Sequence, residues 1–294
     1  MHFTKMHGAG NDYVYVDCTK ETVENPSEVA KLVSDRHFGI GADGLILIKP
    51  SEKADVTMEM YNADGSFGKM CGNGVRCVGK YAYDHGLARK DRIYVETGAG
   101  IKILDVTVRD GEAVSLRVNM GEAIFAPEEV PVDIHEIPLP EGTALPENPD
   151  KLINVPAVIA GKEWRVNCIS MGNPHCVVFG DDVEDFPLME IGKVFEHHPM
   201  FPERVNTEFA VKINEHELRM RVWERGSGET WACGTGTCAT AVAAILTGLA
   251  KSPVTVHLNG GDLVIEWEGE GKPVFMTGPA REVFEGDIDP GRLV

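Results

Sequence analysis

The sequence predicts an α+β protein built from two similar domains, in each of which a β-sheet surrounds a central helix. Three observations predict this class. One spacing of 162 residues, the separation of Cys71 from Cys233, superimposes two parts of the chain, at roughly residues 1–118 and 160–280. Segments rich in β-branched residues recur along both parts, and a helix of small residues follows a Cys-Gly motif in each part.

The duplication rests on clustered glycines and polar residues. The segment Cys-Gly-Asn-Gly at 71–74 falls on Cys-Gly-Thr-Gly at 233–236, and Gly-Asn at 10–11 falls on Gly-Asn at 172–173. Gly-Leu-Ala at 86–88 likewise falls on Gly-Leu-Ala at 248–250. A single spacing without gaps aligns all of these, whereas chance would scatter such matches, so each part is interpreted as a copy of one unit.

Strands dominate the pattern within each copy. In the first copy they are predicted at 14–18, 44–50, 55–61, 93–97, 101–108 and 114–120. In the second copy they are predicted at 176–180, 217–223, 254–258 and 262–267. Between the copies, residues 127–149 hold six prolines and many acidic residues, which predicts a connection with short edge strands at most.

Helices are predicted at 27–37, after a proline, and at 74–85 and 236–249, after the two Cys-Gly motifs. The last of these segments is almost entirely apolar or small, a composition typical of a helix that is buried on all sides. We therefore expect the sheet of its own domain to surround it.

The overall composition narrows the function classes. The net charge of −18 argues against binding to nucleic acid or to an anionic membrane, because phosphates would be repelled. The chain contains no apolar run long enough to span a membrane, and its first residues lack the apolar region of a secretory signal, so we expect a cytoplasmic protein. Seven cysteines, an odd number, make free thiols the expectation in that compartment.

Cys71 and Cys233 are the candidate catalytic residues. Both lie where a glycine-rich loop becomes a helix, and a helix N-terminus carries free N–H groups and a partial positive charge. A thiol there is expected to have a lowered pKa, and a carboxylate there finds backbone donors. If the two copies face each other, one thiolate can remove the α-proton of an amino acid while the opposite thiol protonates the other face. Such chemistry needs neither pyridoxal phosphate nor a metal, so no cofactor is expected.

Other uses of the cysteines were weighed. The remaining five are expected to be core residues, since a buried free cysteine usually packs as a small hydrophobe; they are Cys18, Cys77, Cys168, Cys176 and Cys238. Only Cys233 and Cys238 have a spacing that suits a zinc site, and the chain has no Cys-x-x-Cys motif for disulfide exchange. A zinc-stabilised binding protein is nevertheless kept as the alternative from a different class.

The sequence resembles the diaminopimelate epimerase family along essentially its whole length. The motifs that carry the resemblance are KMHGAGNDYVYVD, RHFGIGADGL, YNADGS, MCGNGVRC, SMGNPHCVV, FPERVNTEF, VWERGSGET, ACGTGTCA, GGDLVIEW and MTGPA. The resemblance implies two domains, each a curved mixed sheet around a central helix, with the active site in the cleft between them. It also implies a final strand that returns to the first domain, which gives domains of 1–118 plus 279–294 and 119–278. The implied activity interconverts LL- and meso-2,6-diaminoheptanedioate in lysine and peptidoglycan precursor synthesis, and the family is commonly homodimeric.

The resemblance also assigns roles to individual residues. Cys71 and Cys233 match the catalytic pair, and His175 and Glu224 match residues that tune the thiols. The substrate ligands match Asn11, Asn62, Gly72, Asn73, Asn173, Asn206, Glu224, Arg225, Gly234 and Thr235. Gly44 stands where some members have a ligating glutamine, so any contact there must come from the backbone or from water.

Several alternatives stay open at this point. Asn62 and Asn173 both occupy turn-like contexts, His175 could be a polar residue at a strand edge, and Glu224 with Arg225 could be surface charges. Among enzymes, the alternative is another two-cysteine amino-acid racemase of the same superfamily, which would not need ligands for a second amino-acid head.

Overall fold

The computed structural model describes residues 1–293 and divides the chain into two compact units. Unit 1 comprises Met1–Asn119 together with the chain from Thr277 onward, and unit 2 comprises Met120–Met276. Among the described residues, no helix has the length and apolar character needed to cross a membrane.

The first part of unit 1 contains eight strands and two helices. They are β1 (His2–Gly8), β2 (Asn11–Asp17), α1 (Pro26–Ser34), β3 (Gly44–Lys49), β4 (Val56–Asn62), β5 (Phe67–Gly68), α2 (Gly72–Asp84), β6 (Arg92–Thr97), β7 (Gly100–Arg109) and β8 (Glu112–Glu122). The end of β8 carries the chain into unit 2.

The rest of the chain supplies unit 2 and one further strand of unit 1. The elements are β9 (Leu152–Ile159), β10 (Lys162–Ser170), β11 (Pro174–Gly180), α3 (Leu188–Glu196), β12 (Asn206–Asn214), β13 (Glu217–Glu224), β14 (Gly228–Thr230), α4 (Gly234–Leu246), β15 (Val254–Leu258), β16 (Gly261–Glu266), β17 (Pro273–Gly278) and β18 (Arg281–Asp287). The proline-rich connection at 127–149 holds a 3-10 turn at Ile134–Glu136, as the proline content predicted, and an isolated bridge at Ile124 precedes it.

The two units repeat one sheet topology. In unit 1, β1 pairs antiparallel with β2, β2 parallel with β3, β3 antiparallel with β4, and β4 parallel with β6. In unit 2 the same alternation runs through β10, β11, β12, β13 and β15. The place beside the first strand is filled by β18 in unit 1 and by β9 in unit 2. The mixed α+β class and the internal repeat are therefore confirmed.

Both predicted motif helices form, each two residues earlier than predicted at its N-terminus. α4 is buried along nearly its whole length, which confirms that small residues let a sheet close around it. In α2, a side chain at Gly79 would overlap Leu104 and Leu116, so glycine is needed where those strands cross the helix.

Two features of the helices differ from the sequence prediction. The predicted helix 27–37 ends at Ser34, because Asp35 leaves the helical conformation and its carboxylate accepts hydrogen bonds from the N–H groups of His37 and Phe38, both at 2.7 Å. Helix α3 was not predicted, although it lies at the repeat spacing from α1. It begins after a proline and packs Gly192 against the ring of Trp223, where a Cβ would lie 2.6 Å from the ring.

Candidate active site

Cys71 and Cys233 occupy equivalent positions, each as the N-cap of a helix. Both have extended backbones, and each Sγ accepts a hydrogen bond at 3.4 Å from the N–H three residues later, at Gly74 and Gly236. The helix N-terminus predicted around each cysteine is confirmed. The surroundings of the two sulfur atoms nevertheless differ.

The sulfur of Cys71 contacts a side-chain amide, and a carboxylate lies behind that amide. The thiol donates to Asn11 Oδ1 at 3.2 Å, and Asn11 Nδ2 donates to Asp43 Oδ2 at 2.7 Å. Asp43 thereby fixes which end of the Asn11 amide faces the sulfur. Burial raises the pKa of the adjacent Tyr13 hydroxyl well above its ordinary value, and Cys71 and Asp43 add to that effect.

Arg76 holds the first turn of α2. The guanidinium is fully buried and donates to Asn73 Oδ1 at 2.8 Å, to the Gly72 carbonyl at 3.3 Å and to the Pro279 carbonyl at 3.2 Å. Because its planar fork bonds both side chain and backbone, it orients the Gly72-Asn73 segment that the resemblance assigns to substrate.

Around Cys233 the neighbours are carboxylates. The residue is 5% exposed, and its Sγ lies 3.5 Å from Thr235 Oγ1. Burial raises the pKa of the Cys233 thiol well above its ordinary value, and the negative charges of Glu224 and Glu208 raise it further. The lowered pKa expected from the helix N-terminus is therefore wrong for Cys233, since burial and two carboxylates outweigh the hydrogen bond and the helix dipole.

His175 lies inside unit 2 between two oxygen atoms. Its Nδ1 is 2.7 Å from Glu208 Oε1, its Nε2 is 3.1 Å from Asn173 Oδ1, and the side chains of His175 and Glu208 are fully buried. His175 is thus a buried, doubly held ring rather than a residue at a free strand edge. It connects a buried carboxylate to one of the asparagines assigned to substrate.

A second network holds the loop that carries Glu224 and Arg225. The side chain of Asn206 accepts from the Arg225 N–H at 2.9 Å and donates to the Pro174 carbonyl at 3.2 Å. Glu196, at the end of α3, accepts from the Gly226 N–H at 2.8 Å and from Trp223 Nε1 at 2.7 Å. Thr230 donates to Glu224, and the exposed Arg225 guanidinium donates to the carbonyl of Glu203 at 3.1 Å.

The corresponding place in unit 1 is a tight turn. Asn62 ends β4, and its side chain donates to Ser66 Oγ at 2.9 Å while its carbonyl accepts from Gly65 N at 2.9 Å. The turn interpretation of Asn62 is therefore correct, and a ligand role is compatible with the remaining hydrogen-bonding capacity of its amide. A Cβ at Gly44 would overlap the Tyr61 carbonyl oxygen and lie 2.8 Å from the ring of Tyr13, so a side chain there would require neighbouring atoms to shift.

The positions of the other cysteines bear on two predictions, that they pack in the core and that a cysteine pair binds zinc. All seven cysteines, which lie within the described residues, are free thiols; Cys77, Cys168, Cys176 and Cys238 are fully buried as predicted, whereas Cys18 is only half-buried. Among residues 1–293, the one group of ligand atoms close enough to share a metal ion is His85, Glu282 and Glu285, and it includes no cysteine.

The sequence analysis missed four residues that hold the predicted site residues of each unit: Asp43 and Arg76 in unit 1, and Glu196 and Glu208 in unit 2. Asp43 and Arg76 lie within quoted motifs, so their position was visible, but their partners come from distant segments. For Glu208 a signal existed: it replaces Ile46 at the repeat spacing, and a charged residue in place of an apolar one inside a strand is unusual.

Similar folds occur in solved structures of low sequence identity. A probable proline racemase from Agrobacterium radiobacter matches with a TM-score of 0.69 at 15% identity, over 98% of this chain and 92% of that chain. A Bacillus anthracis phenazine biosynthesis protein of the PhzF family matches with a TM-score of 0.68 at 16% identity, over 98% of each chain. Together with the paired N-cap cysteines, this defines a two-copy α+β protein of the racemase and PhzF fold class.

The sequence comparisons are more specific. The diaminopimelate epimerase family matches residues 3–126 and 167–283. Diaminopimelate epimerase of Acetivibrio thermocellus is 56% identical over the full length of both chains, and that of Methanococcus maripaludis is 49% identical over 98% of this chain and all of that protein. The chain belongs to the diaminopimelate epimerase family and is an isomerase.

Proposed function

We propose that this protein interconverts LL- and meso-2,6-diaminoheptanedioate by transferring protons at one α-carbon through Cys71 and Cys233. The observation that carries the proposal is the pair of equivalent N-cap cysteines in a chain 56% identical to a diaminopimelate epimerase. The reaction belongs to the synthesis of lysine and of peptidoglycan precursors.

The proposed chemistry is a two-base proton transfer. The thiolate of one cysteine takes the α-proton and becomes a thiol, and the electron pair of the broken C–H bond stays on the substrate, where it spreads onto the carboxylate. The thiol of the other cysteine then protonates the opposite face of the α-carbon and becomes a thiolate. The total charge of the enzyme is unchanged, so the next cycle in the reverse direction can begin without a further reagent.

The negative charge that develops on the substrate needs donors beside each cysteine. The N–H groups of Gly72, Asn73, Gly234 and Thr235 belong to the first turns of α2 and α4, where the partial positive charge of a helix terminus is concentrated. We propose that they bind the reacting carboxylate, and that the dipoles of both helices stabilise its growing charge.

The second amino-acid head of the substrate requires a different set. Asn11, Asn62, Asn173 and Asn206 are neutral groups that can donate and accept, Glu224 can accept from an ammonium group, and Arg225 can bind a carboxylate through its fork. This set distinguishes the proposal from a racemase of amino acids with a single head.

The proposal also covers the residues that tune the thiols, the domain boundaries, the compartment and the oligomeric state. We propose that His175 and Glu224 tune the thiols, that the domains are residues 1–118 plus 279–294 and 119–278, and that the enzyme is a cytoplasmic homodimer. Size-exclusion chromatography with light scattering tests the last of these, since a single peak at the mass of one 32.1 kDa chain would contradict a dimer.

The experiment is a stereochemical assay of purified protein with LL-2,6-diaminoheptanedioate, without added cofactor, in which the meso isomer is measured by chiral chromatography. Equilibration of the two isomers supports the proposal. Parallel reactions with L-proline and L-lysine test the racemase alternative, and racemisation of either substrate without conversion of LL-2,6-diaminoheptanedioate would contradict the proposal.

A further inference from the structure

The two copies differ in what lies beneath the helix that follows each cysteine. At the repeat spacing, Tyr13 and Ile46 of unit 1 correspond to His175 and Glu208 of unit 2. Unit 2 therefore holds a fully buried imidazole and carboxylate, 2.7 Å apart, where unit 1 holds a phenol and an alkyl group.

Glu208 contacts the first turn of α4. A Cβ placed on Gly236 would overlap Glu208 Oε1 and lie 3.0 Å from the carboxyl carbon. Gly236 is also the residue whose N–H donates to Cys233 Sγ. The carboxylate therefore lies against the helix terminus that would otherwise stabilise a thiolate at Cys233.

Unit 1 lacks this carboxylate. A Cβ placed on Gly74 would meet the terminal methyl of Ile46 at 2.8 Å and that of Met58 at 3.2 Å. The atoms beneath Gly74 are therefore apolar, whereas the N-terminal charge of α4 interacts with a buried carboxylate. Because a helix terminus supplies only about half a unit of positive charge, a carboxylate placed there leaves less of it for a thiolate.

We propose that Glu208 is a positioning residue of the epimerase reaction. Its carboxylate, which His175 holds beneath α4, keeps Cys233 a thiol. The first proton that the cysteine pair loses therefore leaves Cys71. This inference rests on the proposed function and assigns the two cysteines different resting roles. Glu208→Gln or Glu208→Ile would remove the contribution of this carboxylate, whereas burial and the charge of Glu224 would continue to raise the pKa of Cys233.

The remaining contacts of Glu208 agree with this role. Its second oxygen, Oε2, is buried and has no hydrogen-bond partner among the described residues. Burial raises the pKa of the Glu208 carboxyl, while the charge of His175 and its hydrogen bond act in the opposite direction. The same His175 ring contacts Asn173, so the carboxylate also fixes the orientation of a proposed substrate ligand.

The test measures the ionisation of Cys233 by itself. In a Cys71→Ala background, the rate of alkylation of Cys233 by iodoacetamide is followed from pH 6 to 11 by mass spectrometry of its peptide. Adding Glu208→Gln should lower the midpoint pH by about one unit, which is about a tenfold faster alkylation at any pH well below both midpoints. Half-buried Cys18 serves as an internal reference whose midpoint stays unchanged.

One control variant and one alternative test variant make the result specific. Glu190→Gln removes one charge from an exposed position of α3 and should leave the midpoint unchanged. If Glu208→Gln does not fold, His175→Tyr with Glu208→Ile copies the unit 1 residues into unit 2 without a buried charge, and should shift the midpoint in the same direction.

The outcomes separate this inference from the proposed function. An unchanged or higher midpoint in the folded Glu208 variant would overturn the inference, whatever the activity of the wild type. Absence of epimerase activity in the wild type would overturn the proposed function, whatever the alkylation profile. With Cys71 intact, Glu208→Gln should also move the basic limb of the kcat/KM profile to lower pH.

Discussion

A matched pair of substitutions, Gly236→Ala and Gly74→Ala, tests how differently the two copies are packed. Both glycines are the third residue of a helix, and both donate their N–H to the catalytic cysteine. Alanine should gain up to about 1 kcal/mol of helix propensity at either position. Any difference between the two variants must therefore come from what the added methyl group contacts.

The expected difference follows from the neighbours. At Gly74 the methyl meets the flexible ends of Ile46 and Met58, which can move at a cost of about 1 kcal/mol, so the net change should lie near zero. At Gly236 it meets the carboxylate of Glu208, which is fixed by His175 and buried. Displacing a buried carboxylate from its hydrogen-bond partner costs about 3–5 kcal/mol, so Gly236→Ala should lower the free energy of unfolding by about 2–4 kcal/mol.

Urea unfolding provides the measurement. All four tryptophans lie in unit 2 and all six tyrosines in unit 1, so tryptophan fluorescence follows unit 2 and tyrosine near-ultraviolet circular dichroism follows unit 1. Gly236→Ala should lower the tryptophan midpoint clearly, and Gly74→Ala should leave the tyrosine midpoint almost unchanged. Equal effects, or a larger effect at Gly74, would refute the packing of Glu208 against α4.

Three further predictions concern the supporting contacts. Glu196→Gln should lower the free energy of unfolding at pH 7 by about 1.5–3 kcal/mol, measured by urea unfolding, because hydrogen bonds to a charged acceptor are lost. The N–H groups of Trp223 and Gly226 outweigh burial and lower the pKa of Glu196 below 4.5. The wild type should therefore lose this part of its free energy of unfolding as the pH falls through the lowered pKa, and the free energy of unfolding of the variant should decrease less over the same range. Asp43→Ala removes the acceptor that orients the amide of Asn11. The variant should have a kcat/KM roughly tenfold lower in the stereochemical assay, the equivalent of about 1.5 kcal/mol. An unchanged kcat/KM would contradict a role for the orientation of Asn11. Gly192→Ala should displace the ring of Trp223 and change the fluorescence of unit 2, and an unchanged spectrum would contradict the packing of α3 on β13.

The repeated fold was predictable because it depends on patterns within the sequence. Glycine spacing revealed two copies, and runs of apolar and small residues indicated most of the strands and the buried helix α4. Seven strands were missed, namely β1, β5, β9, β10, β12, β14 and β17. Of these, β1 and β12 bury polar residues, such as Thr4, Lys5 and Glu208, whose partners come from elsewhere in the chain. Burial of a polar residue depends on those partners, and a local pattern does not contain them.

The helix termini at Cys71 and Cys233 were predictable from the Cys-Gly motifs. The substrate ligands stay a prediction from the resemblance. The ionisation of Cys233 was not predictable, because a helix N-terminus alone predicts a lowered pKa. The carboxylates of Glu208 and Glu224 reverse that expectation, and they lie on strands that only the fold brings beside α4.

The most direct test of the two-cysteine mechanism is epimerisation of LL-2,6-diaminoheptanedioate in D2O by the wild type and by the Cys71→Ala and Cys233→Ala variants, followed by mass spectrometry of each isomer. The mechanism predicts that the meso product of the wild type carries deuterium at the inverted α-carbon, and that neither variant forms meso product. Inversion at the wild-type rate by either variant, or a meso product free of deuterium, would contradict proton transfer by two cysteines.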